Sequence, residues 1–136
     1  MRDQLNMNCY RVFVVLGFMT VLYAAPLRAA ELVMFESDIC EYCEMWHDEL
    51  GAVYAKTDEG RRAPLRRVDI DANRPKDLSG LRGIRYTPTF VLVDEGREIG
   101  RILGYPGEEF FWAQLANLIK RLENKGKRVE IQRLNN

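Results

Sequence analysis

Leu32-Val33-Met34-Phe35-Glu36-Ser37-Asp38-Ile39-Cys40-Glu41-Tyr42-Cys43-Glu44-Met45-Trp46 holds a strand, a turn and a helix start in one short stretch. The four apolar residues 32–35 read as a buried strand. Ser37 and Asp38 are turn and cap residues. From Glu41 the period changes. Tyr42, Met45, Trp46, Glu49, Leu50, Val53 and Tyr54 recur at three and four, which predicts an amphipathic helix to about Lys56. Cys40 and Cys43 therefore fall where a strand hands over to a helix.

That placement has chemical meaning. Two intervening residues bring the sulfurs close enough to close a small disulfide ring. The first sulfur stands at the helix N-terminus, where free N–H groups and the helix dipole favour a thiolate. Thiolate is the attacking form, so Cys40 is expected to be the nucleophile that forms a mixed disulfide. Cys43, one turn inside, is expected to resolve it. Metal sites also use this spacing, and a structural disulfide is a third reading. A closed tetrahedral zinc site needs four ligands, usually Cys or His. The chain has three Cys and one His. The strand-then-helix context favours a redox pair.

Outward from the motif, elements alternate. The segment 60–64, Gly60 to Pro64, breaks the helix, and Leu65 to Ile70 reads as a strand. Asp71 to Gly83 holds at most a short helix, Lys76 to Leu81. Thr89 to Val93 is a β-forming run, followed by the turn Asp94-Glu95-Gly96-Arg97 and a second strand, Glu98 to Leu103. Glu108 to Leu122 predicts a long helix. Phe111, Leu115, Leu118 and Leu122 share one face, acidic residues open it, and Lys120 and Arg121 close it. The order is β-α-β-(α)-β-β-α. The first two strands should be parallel and the last two an antiparallel hairpin. The predicted fold class is α/β, a central mixed four-stranded sheet with helices on both faces. Residues 124–136 read as a polar, basic, frayed tail.

Composition narrows the function. In 136 residues, Lys plus Arg equals Asp plus Glu at 20, so the formal net charge is zero. A general nucleic-acid binder would show a basic excess. Three Cys do not make a disulfide scaffold, and one His excludes a multi-histidine metal site.

Residues 1–30 read as a secretory signal peptide. Arg2 and Arg11 make the start positive, Val12 to Ala25 is uncharged and apolar, and Ala24, Ala25, Ala29 and Ala30 offer a small-residue exit. The apolar run is shorter than the roughly 20 residues of a membrane-spanning helix. Cleavage after Ala30 would place Arg28, and cleavage after Ala29 would place Leu27, at the third position before the cut. An uncleaved N-terminal anchor is the alternative, and it would be the chain's one membrane contact. Cys9 precedes the apolar run and would be discarded with the signal. Without residues 1–30, 17 basic side chains face 19 acidic ones. The expected compartment is oxidising and extracytoplasmic: the periplasm.

The residues from Glu31 to Leu122 resemble the thioredoxin superfamily. Four features carry the resemblance: Cys40-Glu41-Tyr42-Cys43 between strand and helix; Arg67-Val68-Asp69-Ile70-Asp71, similar to the family's central strand; Gly83-Ile84-Arg85-Tyr86-Thr87-Pro88-Thr89-Phe90, similar to the stretch with its cis-proline loop; and Gly104 before the last helix. The resemblance implies a thioredoxin-like domain over residues 31–123 and thiol–disulfide exchange with protein substrates. It implies that Pro88 lies against the two cysteines and that the Thr87 backbone pairs with a bound substrate strand. The redox-active Cys40–Cys43 disulfide serves in place of a cofactor.

The departures are specific. Ile39 stands where reducing thioredoxins usually carry Trp, and Glu41-Tyr42 where they carry Gly-Pro. Met34 stands where many bury an acid, and the strand and helix that usually come first are missing. A signal peptide, a trimmed core and Gly104-Tyr105-Pro106-Gly107 together resemble the small periplasmic thioredoxins of bacterial sulfur-oxidation (Sox) systems. That implies keeping a carrier protein's cysteine reduced.

Other residues have two readings. Tyr42, between the cysteines, is expected to be partly exposed and to touch substrate. Glu36 and Arg67 are candidates for tuning a thiolate. His47 reads as a solvent-facing helix residue, with a copper-like set of Cys40, Cys43 and His47 as the sharper option. Trp46, Phe110, Phe111 and Trp112 read as core aromatics. No Lys or Arg occurs between Glu31 and Tyr54, while Glu36, Asp38, Glu41, Glu44, Asp48 and Glu49 do. Nearby negative charge disfavours a thiolate, so a reductant rather than a strong oxidant is expected. The expected molecule is a monomer that reduces a protein disulfide and draws electrons from a membrane thiol-reductant donor. The rival is a metallochaperone or redox-inert adaptor built on the same fold.

Overall fold

The structure, a computed structural model, describes residues 30–135. The segment read as a signal peptide, with Cys9, lies outside the described residues. Strand β1 spans Glu31–Glu36 and helix α1 spans Glu41–Trp46. A π turn over His47–Gly51 leads without a break into α2, Ala52–Tyr54. The amphipathic helix expected to about Lys56 is thus one continuous element with a widened middle turn. The buried residues Trp46, Leu50 and Tyr54 are spaced by four. Steps of four overshoot a turn of about 3.6 residues, and the wider turn absorbs the overshoot.

Helix α3, Asp58–Arg62, lies where a break was expected at Gly60. The Thr57 hydroxyl oxygen caps it by accepting the Gly60 N–H at 3.0 Å. Gly60 is required by close packing rather than by a turn, because a Cβ there would stand 2.0 Å from the Tyr54 carbonyl oxygen. Strand β2, Leu65–Asp69, a 3₁₀ turn at Lys76–Leu78, β3, Thr89–Asp94, and β4, Arg97–Leu103, complete the sheet region. Helix α4, Glu108–Leu134, closes the described chain.

The four strands lie in the order β2-β1-β3-β4. β1 runs parallel to β2, with Phe35 opposite Val68, and antiparallel to β3, with Phe35 opposite Thr89. β3 and β4 form the expected hairpin, turned through Glu95 (φ 52°) and Gly96 (φ 74°). Two successive positive φ angles match the right-handed twist of hairpin strands.

The sheet faces are covered unequally. On one face Leu32, Met34, Phe90, Leu92 and Ile102 pack under Trp46, Leu50, Tyr54, Phe111 and Leu115, so both helical layers share that face. On the other, Val33, Phe35, Val91 and Val93 meet Leu78, Leu81 and Ile84. That face is closed by the segment 70–88, where the short helix expected within Lys76 to Leu81 is the 3₁₀ turn at Lys76–Leu78, and Pro75, Gly80 and Gly83 deny it a longer one.

Two further expectations are corrected. The last helix does not stop at Leu122, and residues 124–134 are helical rather than frayed. The apolar stripe ends there, but Lys, Arg, Glu and Gln are good helix formers, and Lys125 Nζ binds Asp94 Oδ2 at 2.6 Å. Phe110 is 64% exposed and not a core residue. Its neighbour Phe111 takes the inward position. Among the described residues, no helix is long and apolar enough to cross a membrane.

Candidate redox site

Strand register assembles the site. β1 ends at Glu36 beside Asp69 of β2, and Thr89 opens β3 opposite Phe35. The loop that leaves β1 toward Cys40 and the loop that brings Thr87-Pro88 into β3 therefore sit at one end of the sheet. The Thr87–Pro88 peptide is cis, Pro88 is buried and Thr87 half-buried. The Pro88 carbonyl accepts the Gly104 N–H at 2.8 Å, and the Thr89 hydroxyl donates to the Tyr86 carbonyl at 2.7 Å. These bonds tie the loop to the strand ends around it.

Cys40 and Cys43 are joined as a disulfide, with Cα atoms 5.2 Å apart. Cys40 is the N-cap of α1: its backbone is extended, and its Sγ accepts the Cys43 N–H at 3.1 Å. The sulfur thus occupies the place usually taken by a capping oxygen and shares the Cys43 N–H with the Cys40 carbonyl, which accepts it at 3.0 Å. Both cysteines are buried in the helix-side core. Large apolar side chains are exposed in the segments that carry the cysteines and the cis-proline. Ile39 is 94% exposed, Tyr42 55% and Tyr86 71%.

Glu36 faces α1, because Leu32, Met34 and Glu36 alternate onto one side of β1. Its Oε1 accepts from Arg67 Nε at 2.5 Å, and its Oε2 lies 2.6 Å from His47 Nε2. Arg67 is therefore held by a carboxylate. Cys43, Glu36, His47 and Arg67 line one cavity, with Ser37, Asp38, Glu44 and Asp69. Tyr42, Thr87 and Pro88 are not in its lining. His47 corrects the expectation of a solvent-facing residue. It is half-buried, because its position four residues after Cys43 turns it inward toward the Glu36 carboxylate. That pairing was legible as two separate spacings, the strand alternation and the helical step, but joining them needed the crossing of β1 and α1. Farther along, Tyr105 donates to Glu49, and burial followed by that carboxylate pushes its phenol pKa up. Among the described residues, no three His, Cys, Asp or Glu side chains are grouped to hold a metal ion.

A family model described as a thioredoxin-like domain matches residues 28–119. The chain belongs to the thioredoxin-like family. Among solved structures it is similar to the periplasmic thioredoxin SoxS of Paracoccus pantotrophus in its reduced form, at 44% identity and a TM-score of 0.65. That match covers 68% of this chain and 98% of the other. A thioredoxin of Fasciola hepatica matches at 24% identity and a TM-score of 0.51, over 65% of this chain and 79% of that one, and speaks for the fold alone. No curated protein matches the sequence. The resemblance to Sox-type thioredoxins read from the motifs therefore agrees with a solved thioredoxin-like neighbour.

Proposed function

We propose that this protein is a thiol–disulfide oxidoreductase that reduces a disulfide, or a mixed disulfide, of a partner protein. Cys40 attacks and Cys43 resolves. The observation that carries this reading is the placement of the Cys40 sulfur as the helix N-cap, with the Cys43 N–H aimed at it. A donor fixed on that sulfur stabilises it as a thiolate, the form that attacks. The exposed Ile39, Tyr42 and Tyr86 offer an apolar rim, and an extended substrate would dock along the Thr87-Pro88 loop by strand addition.

The direction follows from charge. Asp38, Glu41 and Glu44 are exposed beside the cysteines, no Lys or Arg occurs between Glu31 and Tyr54, and Arg67, the cation that lines the Cys43 cavity, is engaged by Glu36. Such a field opposes a strongly stabilised thiolate. We assign the protein to the periplasm, in a sulfur-oxidation setting, with electrons supplied by a membrane dithiol donor. Support comes from the signal-like layout of residues 1–30 and from 44% identity to a periplasmic thioredoxin.

Equilibration with glutathione buffers, together with insulin reduction by the reduced protein, tests the reading. A potential between about −180 and −270 mV and measurable insulin reduction are expected. A potential near roughly −120 mV would overturn the reductive direction. Tight stoichiometric metal binding without insulin reduction would favour the metallochaperone instead.

A further inference from the structure

The cavity beside Cys43 joins ionisable groups from three elements to a buried cysteine. Glu36 comes from the end of β1, His47 from the start of the π turn and Arg67 from β2. The Glu36 side chain is 14% exposed, and both of its oxygens are engaged, by Arg67 and by His47. The cavity measures about 210 Å³. At about 30 Å³ per liquid water it has room for several, and its walls supply the polar partners that waters need.

The resolving step needs a proton acceptor at this place. Burial disfavours a thiolate, and Cys43 is 2% exposed. Met34, the residue before Glu36 on the same face of β1, has no ionisable group. The other charged groups facing the cavity are Asp38 from the loop before α1, Glu44 from α1 and Asp69 from β2. Asp38, Glu44 and Asp69 are exposed, whereas Glu36 and His47 are held against each other at 2.6 Å.

We propose that the Glu36–His47 pair accepts the Cys43 proton, through water in this cavity, when Cys43 resolves a mixed disulfide. Arg67 is a positioning residue that fixes the carboxylate. The inference rests on the dithiol reading above. In the mixed disulfide, Cys40 Sγ is bonded to a substrate sulfur. The Cys43 thiol gives its proton to the pair, leaving an imidazolium beside a carboxylate. The Cys43 thiolate attacks Cys40 Sγ, the Cys40–Cys43 bond forms and the bond to substrate breaks. The substrate sulfur leaves with the electron pair and takes a proton from solvent. The protein dithiol is oxidised by two electrons and the substrate disulfide is reduced by two. Reduction of the protein runs the same transfer backwards.

Single-turnover kinetics on a protein disulfide, from pH 5 to pH 9, test this. Mixed-disulfide formation is followed in a Cys43→Ser background and resolution with both cysteines present. Glu36→Gln and His47→Gln should each slow resolution at neutral pH by about tenfold or more. Their rates should climb with pH as hydroxide replaces the lost acceptor, while mixed-disulfide formation stays unchanged. Resolution at the wild-type rate, with the wild-type pH profile, in both variants would overturn the proposal. If one variant fails to fold, the other carries the same test. Absence of any mixed disulfide in the Cys43→Ser protein would instead overturn the dithiol reading, and the two failures are thereby distinguished.

Discussion

Two of the charged hollows among the described residues differ in what they enclose. One lies beside Cys43 and holds Glu36, His47 and Arg67. The other lies between the β3–β4 turn and the end of α4, lined by Asp94, Glu95, Lys125, Glu130 and Arg133 with Leu122 and Val129. The second is the larger, about 350 Å³ against about 210 Å³. Each contains a close side-chain pair at 2.6 Å, Lys125 with Asp94 and His47 with Glu36. Size and charge therefore do not tell them apart. What differs is the residue at the wall. The first holds its charged groups against a buried cysteine. The second is the groove left where a polar helix passes a hairpin, and Val129 within it is 40% exposed.

The largest expected contrast comes from Glu36→Gln or His47→Gln. Either should slow the resolving step by about tenfold or more and leave the melting temperature nearly unchanged. A large loss of stability without a rate effect would make the first hollow as structural as the second. Arg67→Ala should act in the same direction but more weakly. Its side chain is 60% exposed, and such pairs contribute about 0.2–1 kcal/mol, at most roughly fivefold in rate. Stopped-flow resolution kinetics measure both. The smallest effect is expected from Lys125→Ala. Thermal unfolding should show a loss of roughly 0–1 kcal/mol, and turnover should not move. A rate effect from Lys125→Ala matching that of Glu36→Gln would dissolve the distinction between the hollows.

Much of the fold was legible because its signals are local. The run 32–35, the change of period at Glu41 and the turn Asp94-Glu95-Gly96-Arg97 each specify an element from neighbouring residues. The parallel β1–β2 pair follows from the intervening helical segment. What escaped is non-local. Gly60 reads as a breaker until the Tyr54 carbonyl is known to lie where its Cβ would stand. The apolar stripe of α4 stops at Leu122, whereas the helix continues with Lys125 held by Asp94 of β3. Phe110 and Phe111 are equivalent in the sequence, and only the rotation of α4 decides which is buried.

The site divides in the same way. Cys40 and Cys43 were legible from spacing and context. The loop at Thr87-Pro88 was legible from its similarity to the thioredoxin stretch. Nothing near Glu36 in the sequence gives its side chain a direction, and the helical pattern alone reads His47 as solvent-facing. Their meeting depends on β1 and α1 crossing at one point, and no window of sequence contains both partners and that crossing.

The central claim is that the two cysteines have different roles, Cys40 attacking and Cys43 resolving. Incubating Cys43→Ser and Cys40→Ser proteins separately with a protein disulfide, then analysing adducts by mass spectrometry, tests it directly. The Cys43→Ser protein should accumulate a mixed disulfide on Cys40, and the Cys40→Ser protein should accumulate almost none. Equal trapping by the two, or trapping only through Cys43, would contradict the account.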